Sequence, residues 1–296
     1  MTTMTMTNPT LTHARVLALD EAQDSSTCGH KAATLSVLRR AGHRVPDGVV
    51  VHAGGVFTLA DALVVRERLG TGPWAVRSSS SAEDLADASF AGQYETVLGV
   101  STLEAVVDAV TRVRASASTA HAADYQRANA ADVSAPMAVL VQRQIGARMA
   151  GVAFSANPVT GADEAIVEAV AGLGERLVSG DVDADRWADV GGAARALADT
   201  GVIDSTLARQ IAALVRRIAL ERGCAQDIEW AHDGTDLHLL QARPITSLPK
   251  APVFEVPPGR WMKDTTHLMG PMTPAGASIL LPSVERRAGV AAAPPR

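Results

Sequence analysis

Three groups of residues in this chain have the types and spacing to handle phosphate. The stretch VRSSSSAEDLADASFAGQYET, residues 76–96, sets Arg77 at the end of a short β-prone run and follows it with four serines. A guanidinium followed by a loop of hydroxyls and N–H groups is the equipment for gripping a polyphosphate. Lys31, in STCGHKAATL, falls in the first turn of an expected helix, where the helix dipole disfavours a cation unless an anion shares the site. Gly29 beside it gives close backbone access to such an anion. The third group is DIEWAHDGTDLHLLQARPI, a hairpin around Asp233-Gly234. If Gly234–Asp236 form a three-residue loop, Glu229 lies opposite Gln241, and Arg243 shares their face. A two-residue loop would send Gln241 to the other face. A carboxylate beside an amide oxygen is a hard-ligand set of the kind Mg²⁺ takes with phosphate oxygens. Each group alone also fits a plainer role: a surface lysine, a solvated loop capping a helix near Glu83, a solvent-facing polar set. Together they ask for one ligand, a nucleoside triphosphate with magnesium.

The elements that must position these groups read as a mixture of helices and hairpins. Leu35, Leu38 and Ala41 recur at helical spacing, with Ser26 or Thr27 as the expected cap and Gly42 as the stop. Pro46 and Gly48 turn the chain into the β-branched run Val49–Val51, a helix is expected around 56–69, and WAVR is a short strand. Leu103, Val106, Val107, Val110 and Val113 form one apolar helical face. From Ala135 the texture turns to strands: MAVLVQRQI and AGVAFSANP are split by GARM, which reads as a hairpin turn. EAIVEAVAGLGERLVSG reads as a strand entering a glycine-broken helical turn. A long amphipathic helix with Leu207, Ile211, Leu214, Val215 and Ile218 inward precedes the last hairpin. These elements predict an α+β fold in two lobes. A tail over 1–13, a first lobe over 14–125, a second over 126–246 and a Pro-rich connector with its tail over 247–296 follow from the punctuation.

Bulk properties narrow the class. At 296 residues with 47% hydrophobic and 20% charged residues, the chain has ample material for a packed core. A net charge of −5 with both signs mixed argues against a nucleic-acid surface. Cys28 and Cys224 match no metal spacing or disulfide framework and read as thiols of a reducing compartment. The start has neither a basic nor an apolar leader region, and no apolar run reaches the ~18 residues of a membrane span. A soluble, cytoplasmic protein is expected.

The ordered blocks GHKAATL, VRSSSSAEDLADASFAGQYET, VLVQRQI, GVAFSANPVTG, VEAVAGLGERLVSG and DIEWAHDGTDLHLLQARPIT resemble the ATP-grasp nucleotide-binding domain of the pyruvate phosphate dikinase family, which includes phosphoenolpyruvate synthase and rifampin phosphotransferase. The resemblance covers roughly residues 14–246. It implies an ATP-grasp fold with the nucleotide in the cleft between two lobes, and ATP and Mg²⁺ as cofactors. By the same resemblance, Lys31, Arg77 and Arg243 contact the triphosphate and carry the catalytic charge. Gly92 and Thr96 belong to a loop covering the phosphates, Gln142 lies on the hinge strand beside the adenine, and Glu229 and Gln241 hold magnesium. Glu168 and Glu175 sit in a matching block. Glu168 is read either near the nucleotide or in a helix-capping or surface role.

Family members pass a phosphoryl group to a histidine on a swivelling domain, in a Gly-Gly…Ser/Thr-His motif, and then to an acceptor, with AMP and phosphate as products. GGAAR at 191–195 has the glycines without a histidine, and Thr266-His267 has the dipeptide without the glycines. Three readings follow. The chain is the ATP-binding component of a split phosphotransferase, with the histidine and the small-molecule acceptor site on a partner polypeptide. Alternatively it is a self-sufficient ATP-grasp kinase or ligase, or a non-catalytic ATP-binding module. The intact set of Lys31, Arg77, Glu229, Gln241 and Arg243 argues against the last.

Overall fold

The computed structural model describes residues 14–80, 96–128, 137–174 and 184–249. Two antiparallel sheets organise them. The first contains β1 (Val16–Ala18), β2 (Gly48–Val51), β3 (Trp74–Ser79), β4 (Thr96–Val100) and β5 (Ala138–Arg143), in the order β1-β2-β5-β3-β4. The second contains β6 (Met149–Phe154), β7 (Ala165–Ala171), β8 (Asp185–Val190), β9 (Ala193–Ala198), β10 (Gln226–His232) and β11 (Leu237–Pro244), in the order β11-β10-β6-β7-β8-β9.

Alternation along the strands divides the apolar residues between two cores, and the central strands of the first sheet are buried on both faces. Val49, Val51, Val76, Val139 and Val141 of the first sheet form one core with Ala62 and Val65 of α2 (Leu59–Leu69) and Val106, Val110 and Val113 of α3 (Leu103–Ala128). A second core gathers Ile228, Trp230, Ala153, Val167 and Trp187 of the second sheet with Ile211, Val215 and Ile218 of α4 (Ser205–Arg222). Leu35 and Leu38 of α1 (Ser25–Arg40), with Val50 and Leu140 of the first sheet, belong to this same cluster, so α1 packs where the two sheets come together. The caps follow residue chemistry. Asp204 accepts the Leu207 N–H at 2.8 Å to open α4, and Gly223 closes it in the left-handed region. At α1 the cap is Asp24, which accepts the Ser26 N–H at 2.9 Å, rather than Ser26 or Thr27. A carboxylate two residues before Ser26 wins because it can also hold the Ser26 and Thr27 hydroxyls.

The strand pairing corrects the sequence expectations further. β5 and β6 do not form a hairpin: β5 is the middle strand of the first sheet, between β2 and β3, while β6 lies between β10 and β7 in the second. Residues 144–148 therefore carry the chain from one sheet to the other. Sheet membership changes there. The β8–β9 hairpin, with Val190 paired to Ala193, lies in a stretch where no strand was expected. Residues 175–183, expected to hold a helical turn, lie outside the described residues. Among the described residues no helix is long and apolar enough to cross a membrane.

Candidate functional site

Lys31 is placed by a break in its own helix. α1 is interrupted at Gly29, whose φ of 77° and ψ of 159° are open to glycine and closed to other residues. Lys31 thus stands in the first turn of the segment after the break, as its sequence position suggests. The end of β3 plugs the gap. His30 N–H donates to the Ser80 carbonyl at 3.0 Å, Ala32 N–H donates to Ser79 Oγ at 3.0 Å, and Ser79 Oγ–H donates to the Cys28 carbonyl at 2.7 Å. A Cβ on Gly29 would stand 1.9 Å from the Ser79 carbonyl oxygen. Two of the serines after Arg77 therefore lock the strand that carries the arginine to the helix that carries the lysine.

Arg77, Thr96 and Gln142 share one face of the first sheet. Arg77 pairs with Thr96 of β4 on one side and Leu140 of β5 on the other, and Gln142 pairs with Ala75, two residues before Arg77. Thr96 is exposed. Gln142 is buried, its amide donating to the Pro46 carbonyl at 3.3 Å, and it stands next to the 144–148 crossing. Gly92 lies outside the described residues, as do Glu175 and His267.

The second sheet supplies the acidic side. Glu229 and Gln241 are direct cross-strand partners, as are Asp227 and Arg243. The pairing arises differently from the expected three-residue loop. His232 pairs with Leu237, so the loop is the four residues Asp233–Asp236, which by itself would set Glu229 opposite Leu240. A bulge between Glu229 and Trp230 leaves Leu240 unpaired and restores Gln241 to the face of Glu229. The bulge also turns the Leu240 carbonyl toward the first sheet, where Arg77 Nη1 donates to it at 3.0 Å. Asp227 is a residue that the sequence reading missed. It is buried, and its Oδ2 accepts from Arg243 Nε at 2.7 Å, fixing the guanidinium beside Glu229. Its signal was its place two residues before Glu229 on the same face of one strand.

The two faces meet in an ion pair between Arg77 Nη2 and Glu229 Oε2. Their side chains are 13% and 33% exposed, so the pair is partly shielded and worth more than a surface contact. Burial works to raise the pKa of Glu229. The charges of Arg77, Lys31 and Arg243, with the Arg77 hydrogen bond, outweigh it and hold the carboxyl below the ordinary glutamate range. Lys31, Arg77 and Arg243, drawn from α1, β3 and β11, thus all act electrostatically on one carboxylate, and Arg77 touches it. Glu229 and Gln241 present hard oxygen donors side by side on a partly exposed face, a pair that suits Mg²⁺.

Glu168 lies on the same face as Glu229: the register runs Glu229 to Val152 to Glu168 to Arg186 across neighbouring strands. It is a strand residue and caps no helix, and its carboxylate accepts from Arg186 Nε at 2.7 Å. Asp233, Asp236 and His238 cluster at the hairpin tip, but Asp233 holds the N–H groups of Thr235 and Asp236 while Asp236 pairs with Arg44. These groups are already used in shaping the turn. Both cysteines are free, Cys28 buried and Cys224 exposed.

Comparison with known proteins finds relatives of this sequence. The family described as pyruvate phosphate dikinase, AMP/ATP-binding domain, matches residues 56–200. A probable phosphoenolpyruvate synthase of Methanothermobacter thermautotrophicus is 38% identical over 60% of this chain and 30% of its own length. A rifampicin phosphotransferase of a Streptomyces species is 39% identical over 59% of this chain and 24% of its own. An uncharacterized phosphotransferase of Bacillus subtilis is 27% identical over 91% of this chain and 41% of its own. The chain spans less than half the length of these relatives.

Proposed function

We propose that this chain, which carries the AMP/ATP-binding domain of the pyruvate phosphate dikinase family on an α+β ATP-grasp fold, is the ATP-binding component of a dikinase-type phosphotransferase. The observation that carries the reading is the convergence of Lys31, Arg77 and Arg243 on Glu229, with Gln241 alongside, where two sheets meet. In this reading the three cations grip the triphosphate, as positioning and charge stabilisation dominate phosphoryl transfer. Glu229 and Gln241 hold Mg²⁺, which would neutralise charge on the phosphates. The Gly29 break lets backbone approach the anion, Thr96 helps cover it together with Gly92, and Gln142 lies beside the adenine near the crossing.

The phosphoryl group then passes to a histidine on a swivelling domain and on to a small-molecule acceptor, with AMP and phosphate released. That histidine is proposed to lie on a separate polypeptide. Phosphoryl transfer needs an in-line nucleophile a few ångströms from phosphorus. The test is product analysis. The chain with Mg²⁺ and ATP should bind nucleotide yet form AMP slowly, and adding a partner bearing the Gly-Gly…Thr-His motif should restore AMP formation. Rapid conversion of ATP to ADP with a phosphorylated small molecule, by the chain alone, would replace this reading with a direct kinase.

A further inference from the structure

We infer that Glu229 acts as an internal stand-in for phosphate, so that metal and triphosphate bind cooperatively because each must break the same Arg77–Glu229 ion pair. This rests on the nucleotide reading above and adds a mechanism of order to it. The geometry supplies the parts. Arg77 Nη2 is engaged by Glu229 and Nη1 by the Leu240 carbonyl, so both arms of its fork are turned toward the hairpin. Lys31 and Arg243 act on the same carboxylate. A guanidinium so held has both of its Nη groups committed to the hairpin, so a phosphate that takes the Nη2 edge must displace Glu229. A carboxylate so held cannot offer its oxygen to Mg²⁺. The helix and strand bearing the cations are tied together by Ser79 and Ser80, so the cations do not simply swing aside together with Glu229.

The consequences are asymmetric. Triphosphate without metal has to displace Glu229 from Arg77 and leave a carboxylate beside its own oxygens. Metal without triphosphate has to enter among three cations. When both arrive, Mg²⁺ takes Glu229, the phosphates take Arg77, and each event removes the obstacle to the other. The coupling is reciprocal, as linkage requires.

The test is the metal-free affinity of Glu229→Gln, read by calorimetry with ATP and with inorganic triphosphate in EDTA, beside the same titrations in Mg²⁺. Removing the competing charge should tighten metal-free binding of both probes by roughly tenfold, the scale of one charge-assisted contact. The gain on adding Mg²⁺ should largely vanish. Gln241→Ala serves as the control: it should lose part of the Mg²⁺ gain with no tightening in EDTA, because the ion pair stays. If Glu229→Gln does not fold, Glu229→Ala carries the same expectation. Wild-type chain that binds Mg·ATP, with Glu229 variants whose metal-free binding is unchanged or weaker, would overturn the stand-in while leaving the nucleotide site intact. Wild-type chain that binds no nucleotide under either condition would overturn both.

Discussion

Replacing Gly29 with alanine should cost more than either of the two strains it combines. At Gly29 the backbone lies in a region essentially reserved for glycine, a penalty of about 1–3 kcal/mol. A Cβ would also meet the Ser79 carbonyl carbon at 2.2 Å as well as its oxygen, and neither is the end of a flexible side chain. Overpacking of that kind costs about 1–3 kcal/mol. Stiffening the unfolded chain returns about 0.4–1 kcal/mol, which leaves a net loss of about 1–6 kcal/mol. Two other glycines separate the terms. Gly42→Ala meets the φ penalty at +89° with nothing within 4 Å, so it should lose about 1 kcal/mol. Gly151→Ala has no positive φ but would bring its Cβ to 1.9 Å from the Glu168 carbonyl oxygen, so it isolates the steric term. Equilibrium urea unfolding of the three variants measures the costs, and ATP titration reads the function. Gly29→Ala should also weaken ATP binding, since Lys31 and Arg77 are aligned through that joint. A Gly29→Ala chain as stable as Gly42→Ala, with normal ATP affinity, would refute the idea that the plugged helix break sets the site.

Three further outcomes are expected. Glu229→Ala and Gln241→Ala should reduce Mg²⁺-dependent ATP binding by tenfold or more; Gln241→Ala should move the melting temperature little, about the span of a surface change, while Glu229→Ala, which strips Arg77 of its partner, should lower it further; thermal shift with and without Mg·ATP checks this. Arg77→Lys should weaken Mg·ATP binding by about tenfold, because lysine cannot reproduce the two-armed contact that Arg77 makes, and calorimetry reads it. Asp185 should contribute to an acid limb of stability. Burial works to raise its pKa, but N–H groups of Ile203, Thr200 and Val202 with the Thr200 hydroxyl hold it below 3.8. Its contribution is therefore fully present above the unfolded value near 3.8 and fades as pH falls through the lowered folded value. Asp185→Asn should lose about 2–4 kcal/mol at neutral pH, and the gap to wild type should shrink in acid, as urea unfolding across pH would show.

Periodic apolar patterns were the most legible part of the fold. The faces of α3 and α4 read directly as Val106, Val110 and Val113, and as Ile211, Val215 and Ile218, because each had only to count residues along one helix. Strand partnership was less visible. GARM has the look of a hairpin turn, yet nothing local distinguishes a turn between paired strands from a passage between sheets. β9, the alanine-rich edge strand AARALA, carries a composition that favours helix and is held as strand by pairing with β8. At the site, the cross-strand position of Glu229 and Gln241 was anticipated through a loop one residue too short. The bulge at Leu240 made up the difference, and bulges leave little trace in sequence. Asp227 was passed over because a buried carboxylate on a strand is legible only once its partner Arg243 is in register.

The position of β5 also has a consequence for how the chain comes off the ribosome. β2 and β3 are neighbours of β5 but not of each other, and β5 lies some sixty residues beyond β3 in a chain that has meanwhile made β4 and α3. Until residue 143 has emerged, the β1–β2 and β3–β4 pairs each keep an edge that nothing synthesised so far can satisfy. Joining them demands contacts of long sequence separation, the kind that slow folding and lengthen the exposure of nascent edges. The strand that completes the scaffold for Arg77 is thus a late and decisive one, and pausing or truncation just before it would favour aggregation over a half-built domain.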